Sequence, residues 1–128
     1  MRSLNSGMYL AAANAAYSVI RYGGYSAKIE TLEKPSKGYM VAIELLKKYP
    51  NISSVNTHEV SSLLREHCSK LDQSLLYIGS WSDPETSEVY FEVSLNIDDL
   101  EKAKNIGNIH DQKYIYDVVN KKNVKLWQ

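Results

Sequence analysis

The sequence predicts an α+β fold: an antiparallel β-sheet of about four strands packed with an N-terminal helix, a middle helix and a C-terminal helical segment. Three observations carry this expectation. Apolar residues recur at helical spacing from Met8 to Ile20. Apolar and polar residues alternate with period two over 39–45 and 89–96. An Asp-Pro turn at 83–84 separates two stretches rich in aromatic and β-branched residues. With 128 residues, the chain is expected to form one domain over 1–128.

The first helix is expected over about Gly7–Tyr22, closed by Gly23-Gly24. Met8, Ala12, Ala15 and Val19 make one apolar stripe; Leu10, Ala13, Tyr17 and Ile20 make a second; Asn14, Ser18 and Arg21 form a narrow polar stripe between them. A helix apolar on most sides is buried on most sides, either as the central helix of a monomer or beneath a second subunit. A strand follows at Tyr25–Thr31, then a loop over Glu33–Gly38 and a strand at Tyr39–Leu45, with Tyr39, Val41, Ile43 and Leu45 on one face. Asn56 is the expected N-cap of the second helix, with Glu59 at N3 and Val55 and Val60 as a hydrophobic staple. Val60, Leu63, Leu64 and Leu71 supply its apolar face, and it is expected to end near Lys70. Leu75–Ser82 and Glu88–Asn96 form the clearest strand pair. A helical segment is expected from Asp98, capped by Asp98 and Glu101, interrupted at Gly107 and continuing to about Asn120. The tail at Val124–Trp127 reads as a short edge strand.

The 15 basic and 15 acidic residues cancel, so no broad field draws in a nucleic acid polymer. A specific anion site needs only two or three placed donors. One cysteine, Cys68, cannot form an internal disulfide, and the 8–20 run is too weakly apolar for a signal region and too short for a membrane span. A cytoplasmic protein is the expectation. No catalytic motif stands out. His67 and Cys68 are adjacent, which on a helix separates their side chains by about 100° and defeats a nucleophile–base pair. His58, His67 and His110 lack ligand spacing and no CxxC exists, so no metal and no cofactor are expected. Pro35-Ser36-Lys37-Gly38 is the nearest thing to a phosphate cradle; taken alone, an ordinary solvated turn is the favoured reading.

Ten tyrosines stand against one phenylalanine. Tyrosine suits surfaces that are half apolar and half wet, such as ligand platforms and subunit interfaces. On the second hairpin strand Phe91, Val93 and Leu95 alternate with Tyr90, Glu92, Ser94 and Asn96. The polar set can face solvent, or it can read a base by stacking and edge hydrogen bonds, with Trp81 as a second stacking candidate.

Four segments together resemble a family of small phage and prophage proteins: Lys34-Pro35-Ser36-Lys37-Gly38-Tyr39-Met40-Val41, Tyr77-Ile78-Gly79-Ser80-Trp81, Val89-Tyr90-Phe91-Glu92-Val93-Ser94 and Asp111-Gln112-Lys113-Tyr114-Ile115-Tyr116-Asp117. The chain is similar in these segments to the phage anti-Thoeris sponges. That resemblance implies an oligomeric binder, a dimer or hexamer, that sequesters cyclic ADP-ribose isomers made by bacterial TIR-domain enzymes; in some of these proteins separate sites hold cyclic oligonucleotides. Ser36 stands where the family pattern has threonine, Glu92 where it has aspartate, Asp111 where it has asparagine and Tyr114 where it has alanine. Asp111 would weaken an anion site on that segment, and Lys113 would partly offset it.

The leading expectation is therefore a non-enzymatic binder of a small cyclic nucleotide immune signal that blocks anti-phage defence. Tyr90 or Trp81 would stack on adenine, Ser94 and Asn96 would bond polar edges, and Arg21, Lys37 or Lys113 would neutralise the pyrophosphate, with Ser36 and Gln112 completing the site. The alternative is a protein-interaction module that inhibits a host protein through a tyrosine-rich surface. A third reading is a hydrolase using Glu92 or Asp117, for which no positioned base–nucleophile pair argues.

Overall fold

A computed structural model describes residues 4–68 and 73–127. Its helices are α1 (Leu4–Tyr22), α2 (Thr57–Cys68) and α3 (Leu100–Ile109); its strands are β1 (Gly24–Lys28), β2 (Tyr39–Tyr49), β3 (Tyr77–Ser82), β4 (Val89–Ile97), β5 (Tyr114–Asp117) and β6 (Lys122–Lys125). The strands form one antiparallel sheet in the order β1-β3-β4-β2-β5-β6. The α+β class is as expected, with six strands where about four were read.

Period-two alternation divides the sheet into a dry face and an open one. Val89, Phe91 and Val93 of β4 and Ile78 of β3 are fully buried against α1 and α2. Met8, Ala12, Ala15 and Val19, the first apolar stripe of α1, enter the same core. The buried alanines Ala11, Ala12, Ala15 and Ala16 let the helix sit close, and Ser80 Oγ donates to Ala15 O at 2.9 Å, tying β3 to α1. The second stripe stays outside: Leu10, Tyr17 and Ile20 are exposed. The α1 helix is thus neither fully enclosed nor fully amphipathic.

α2 begins as read. Asn56 Oδ1 accepts from Glu59 N at 3.1 Å, the N-cap bond that satisfies an otherwise orphaned amide. The expected end at Lys70 and the apolar Leu71 lie outside the described residues. β2 runs four residues longer than expected, and two irregularities in its pairing with β4 shift its phase. Leu45 is exposed and Leu46 buried, whereas strict alternation from Tyr39 puts Leu45 inside. A bulge inserts one residue, and one residue is enough to exchange the faces.

The stretch 98–120 departs furthest from the expected helix. Asp99, not Asp98, caps α3, its carboxylate accepting from Lys102 N at 3.0 Å. The helix passes through Gly107 and stops at Ile109 instead of continuing to Asn120. A Cβ on Gly107 would lie 2.5 Å from Leu126 Cδ1 and 3.1 Å from Ile115 Cγ2, so glycine here is the contact point of helix and sheet. Asp111 then takes a positive φ of 55°, and Gln112 N donates to Gly107 O at 2.8 Å. The chain reverses into β5, where Ile115 and Asp117 point inward and Tyr114 and Tyr116 outward. Among the described residues, no helix is long and apolar enough to cross a membrane.

Candidate functional site

The helices occupy one face of the sheet, so the residues that alternate with the core face outward on the other. There the curled sheet encloses a cleft of about 920 Å³. Its floor is built from small residues: Ser26 of β1, Gly79 of β3, Ser94 of β4 and Ala42 of β2. Register brings them together, since Ser26 faces Gly79 and Ala42 faces Ser94 across the ladders. Trp81 stands on one wall, Tyr114 and Tyr116 on the opposite one, and Lys34, Lys113 and Lys121 lie around the mouth. Large walls over a small floor leave an open cleft whose volume falls in the usual range for small-molecule sites.

Glu92 lies in this floor, opposite Gly79. Trp81 Nε1 donates to its Oε1 at 3.0 Å. Burial pushes the Glu92 carboxyl up to about 7, although the indole N–H pulls the other way. Drawn out of water and with no cation paired to it among the described residues, this carboxyl keeps its proton to unusually high pH. Trp81 is itself held from behind, stacked on Tyr90 with ring centroids 4.4 Å apart and planes 8° from parallel. The Tyr90 hydroxyl bonds Glu88 Oε1 at 3.1 Å, and Lys48 Nζ lies 3.3 Å from Glu88 Oε2. The indole is therefore a preoriented plane, which lowers the ordering cost of stacking a ligand on it.

The nine residues selected from the sequence separate into two groups. Trp81, Ser94, Gln112 and Lys113 line the cleft. The Lys113 ammonium lies 5.5 Å from the Tyr114 ring centroid, and Gln112 Nε2 donates to His110 O at 3.1 Å. Tyr90 lies behind Trp81 as its stacking partner, so the two aromatic candidates form one unit, not two separate platforms. Asn96 is spent elsewhere: its Nδ2 donates to Lys37 O at 2.8 Å and holds the 37–38 turn. Lys37 borders a separate depression of about 520 Å³ with Gly38, Tyr39, Asp98, Asp117 and Asn120. There Asp117 is engaged by Asn120, through its backbone N at 3.1 Å and its Nδ2 at 2.7 Å. Ser36 is exposed in the loop before β2, and Arg21 is exposed at the end of α1 with its guanidinium 5.8 Å from the Tyr22 ring. Neither lines the cleft.

Several cleft residues were not selected from the sequence. Glu92 was visible on the polar face of its strand but was weighed only as a hydrolytic residue. Lys34 belongs in the sequence to the 33–38 loop and to the first of the four resembling segments, with no ligand role attached. Tyr114 and Tyr116 were concealed by reading their segment as helix; the alternation Tyr114-Ile115-Tyr116-Asp117 was the available signal. Among the described residues no group of three or more His, Cys, Asp and Glu side chains is placed to hold a metal ion. Compared with known proteins, the chain matches no family model, no curated protein and no solved structure.

Proposed function

We propose that this protein captures a small cyclic nucleotide signal and holds it without cleaving it. The observation that carries the reading is the open-face cleft, in which a preoriented indole, a polar floor and mouth lysines surround one slot. The indole suits the face of a base, Ser94 and Glu92 suit its edge, and Lys34, Lys113 and Lys121 suit its phosphates. The resemblance noted in the sequence supplies the ligand class, a cyclic ADP-ribose isomer and, at separate sites, cyclic oligonucleotides, and the biological consequence, relief from bacterial anti-phage defence. Self-association into a dimer or hexamer belongs to the same reading: Leu10, Tyr17 and Ile20 leave an apolar stripe of α1 on the surface, and zero net charge does little to oppose it.

Catch and release tests this proposal. The protein is incubated with a cyclic ADP-ribose isomer, freed of unbound ligand and heat-denatured. Recovery of the intact ligand from the wild type, and about tenfold less from Trp81→Ala, supports it; recovery of a cleaved product makes the protein an enzyme. A second reading, a module docking on a host protein, is favoured by the exposed Tyr17, Ile20 and Tyr22 on α1. An unchanged melting temperature across a cyclic-nucleotide panel would select that reading instead.

A further inference from the structure

Glu92 occupies a place in the cleft that simple electrostatics does not explain. A site meant only to attract phosphate gains nothing from a carboxyl in its floor. The other charged residues lining the cleft are Lys34 from the loop before β2, Lys113 and Lys121 from the far wall, and Asp83 and Glu85 from the hairpin turn. Lys48, on the adjacent strand β2, is paired with Glu88. Burial raises the Glu92 carboxyl and the Trp81 N–H lowers it; the Tyr90 hydroxyl, two residues back on the same strand, interacts with it electrostatically. The indole hydrogen bond and the open cleft thus meet at one half-buried carboxyl. At neutral pH such a group spends about half its time as a carboxylic acid. A carboxylic acid offers one O–H donor and, on its other oxygen, an acceptor. Oε1 accepts the indole N–H and keeps a second lone pair, so the proton resides naturally on Oε2.

We propose that protonated Glu92 is the base-reading group of the cleft, pairing bidentately with a heteroaromatic edge that presents a ring-nitrogen acceptor beside an amino donor. Such an edge belongs to adenine (N1 and the N6 amino group) and to cytosine (N3 and the N4 amino group). The O–H of Glu92 donates to the ring nitrogen while Oε1 accepts from the amino group, and the base plane continues onto the Trp81 indole. A guanine edge presents two donors in the corresponding positions and matches the carboxylate instead. This proposal rests on the cleft being the ligand site, and it adds both base selectivity and pH-dependent capture. No histidine lines the cleft: His58 contacts Tyr9 at 5.2 Å between ring centroids, and His67 pairs with Glu44 at 3.2 Å on the helix side.

The experiment is calorimetric titration with 3′,5′-cyclic AMP, cyclic CMP and cyclic GMP at pH 6 and pH 8, since these phosphodiesters do not titrate in that interval. With Glu92 near 7, the protonated fraction falls about tenfold between the two, and affinity for cyclic AMP or cyclic CMP is expected to fall about tenfold with it. Glu92→Gln carries an amide whose donor and acceptor replace those of the acid without titrating. It is expected to bind at both pH values and to lose the pH dependence, while Glu92→Ala loses binding at both. Wild-type affinity that does not change with pH, loss of binding in Glu92→Gln, or preference for cyclic GMP over cyclic AMP and cyclic CMP at pH 6, where Glu92 is mostly protonated, would each overturn the proposal. Failure of all three probes at both pH values would overturn it too. In each of these cases recovery of an intact cyclic ADP-ribose isomer from the wild type but not from Trp81→Ala leaves the cleft standing as the site, whereas failure there removes the site itself.

Discussion

Gly38 and Gly23 provide a matched pair of perturbations. Both have left-handed backbones, φ +81° and +84°, yet a Cβ on Gly23 meets nothing within 4 Å whereas one on Gly38 lies 2.7 Å from Asn96 Oδ1 and 3.1 Å from Ile97 O. A left-handed L-residue costs roughly 1–2 kcal/mol, offset by about 0.4–1 kcal/mol because alanine restricts the unfolded chain. Gly23→Ala should therefore cost about 1 kcal/mol. Gly38→Ala adds overpacking of roughly 1–3 kcal/mol, because Ile97 O is backbone and Asn96 is already bonded to Lys37 O at 2.8 Å. Its total is about 2–4 kcal/mol, or roughly 6 to 20 °C in Tm against about 3 to 5 °C for Gly23→Ala in a domain of this size. Urea and thermal denaturation of the two variants measure the difference. Gly38→Ala should still bind ligand in the cleft at low temperature, because the turn acts as a clasp onto β4 and not as a phosphate cradle. Equal losses for the two variants, or binding abolished in a folded Gly38→Ala, would refute the reasoning.

Two further outcomes follow from the titratable groups. The Glu92 carboxyl is raised from 4.5 to about 7, so its ionisation opposes folding: its contribution is fully present below pH 4.5 and is lost as pH rises through 7. The loss is on the order of 3 kcal/mol, read as the stability of the wild type relative to Glu92→Gln across that interval; a difference that stays flat would contradict the burial of this group. Cys68 is 1% exposed and its thiol is pushed up to about 11 by burial. It should therefore resist a disulfide reagent at pH 8 in the native protein and react once on unfolding, and rapid native reaction would show that α2 opens there.

Much of the architecture was legible because local signals agreed with tertiary demand. Asn56, Val55 and Val60 mark the start of α2, and the alternation through Val89–Val93 names the inner face of β4 before any contact is known. Reading failed where the deciding contact is distant. The bulges of β2 depend on its partner strand, so Leu45 and Leu46 exchange roles without a local signal. Gly107 looked like a helix interruption because the side chains that demand a glycine, Leu126 and Ile115, lie beyond it in sequence. That error concealed β5 and, with it, the far wall of the cleft. Asn96 shares a face with Glu92, but only the fold reveals that its amide is committed to the turn at Lys37.

The central claim is that ligand occupies the open-face cleft, and Gly79 tests it most directly. A Cβ there finds only ordinary contacts, 3.5 Å from Ser94 Oγ and 3.8 Å from Tyr25 O, so the backbone accepts a side chain that starts out into the cleft. Gly79→Val should fold with stability near that of the wild type, since valine favours strands, while its methyls fill the slot beside Trp81. Titration of this variant with a cyclic ADP-ribose isomer is predicted to show at least a tenfold loss of affinity relative to the wild type. Wild-type affinity in a folded Gly79→Val would place the ligand elsewhere and contradict the account.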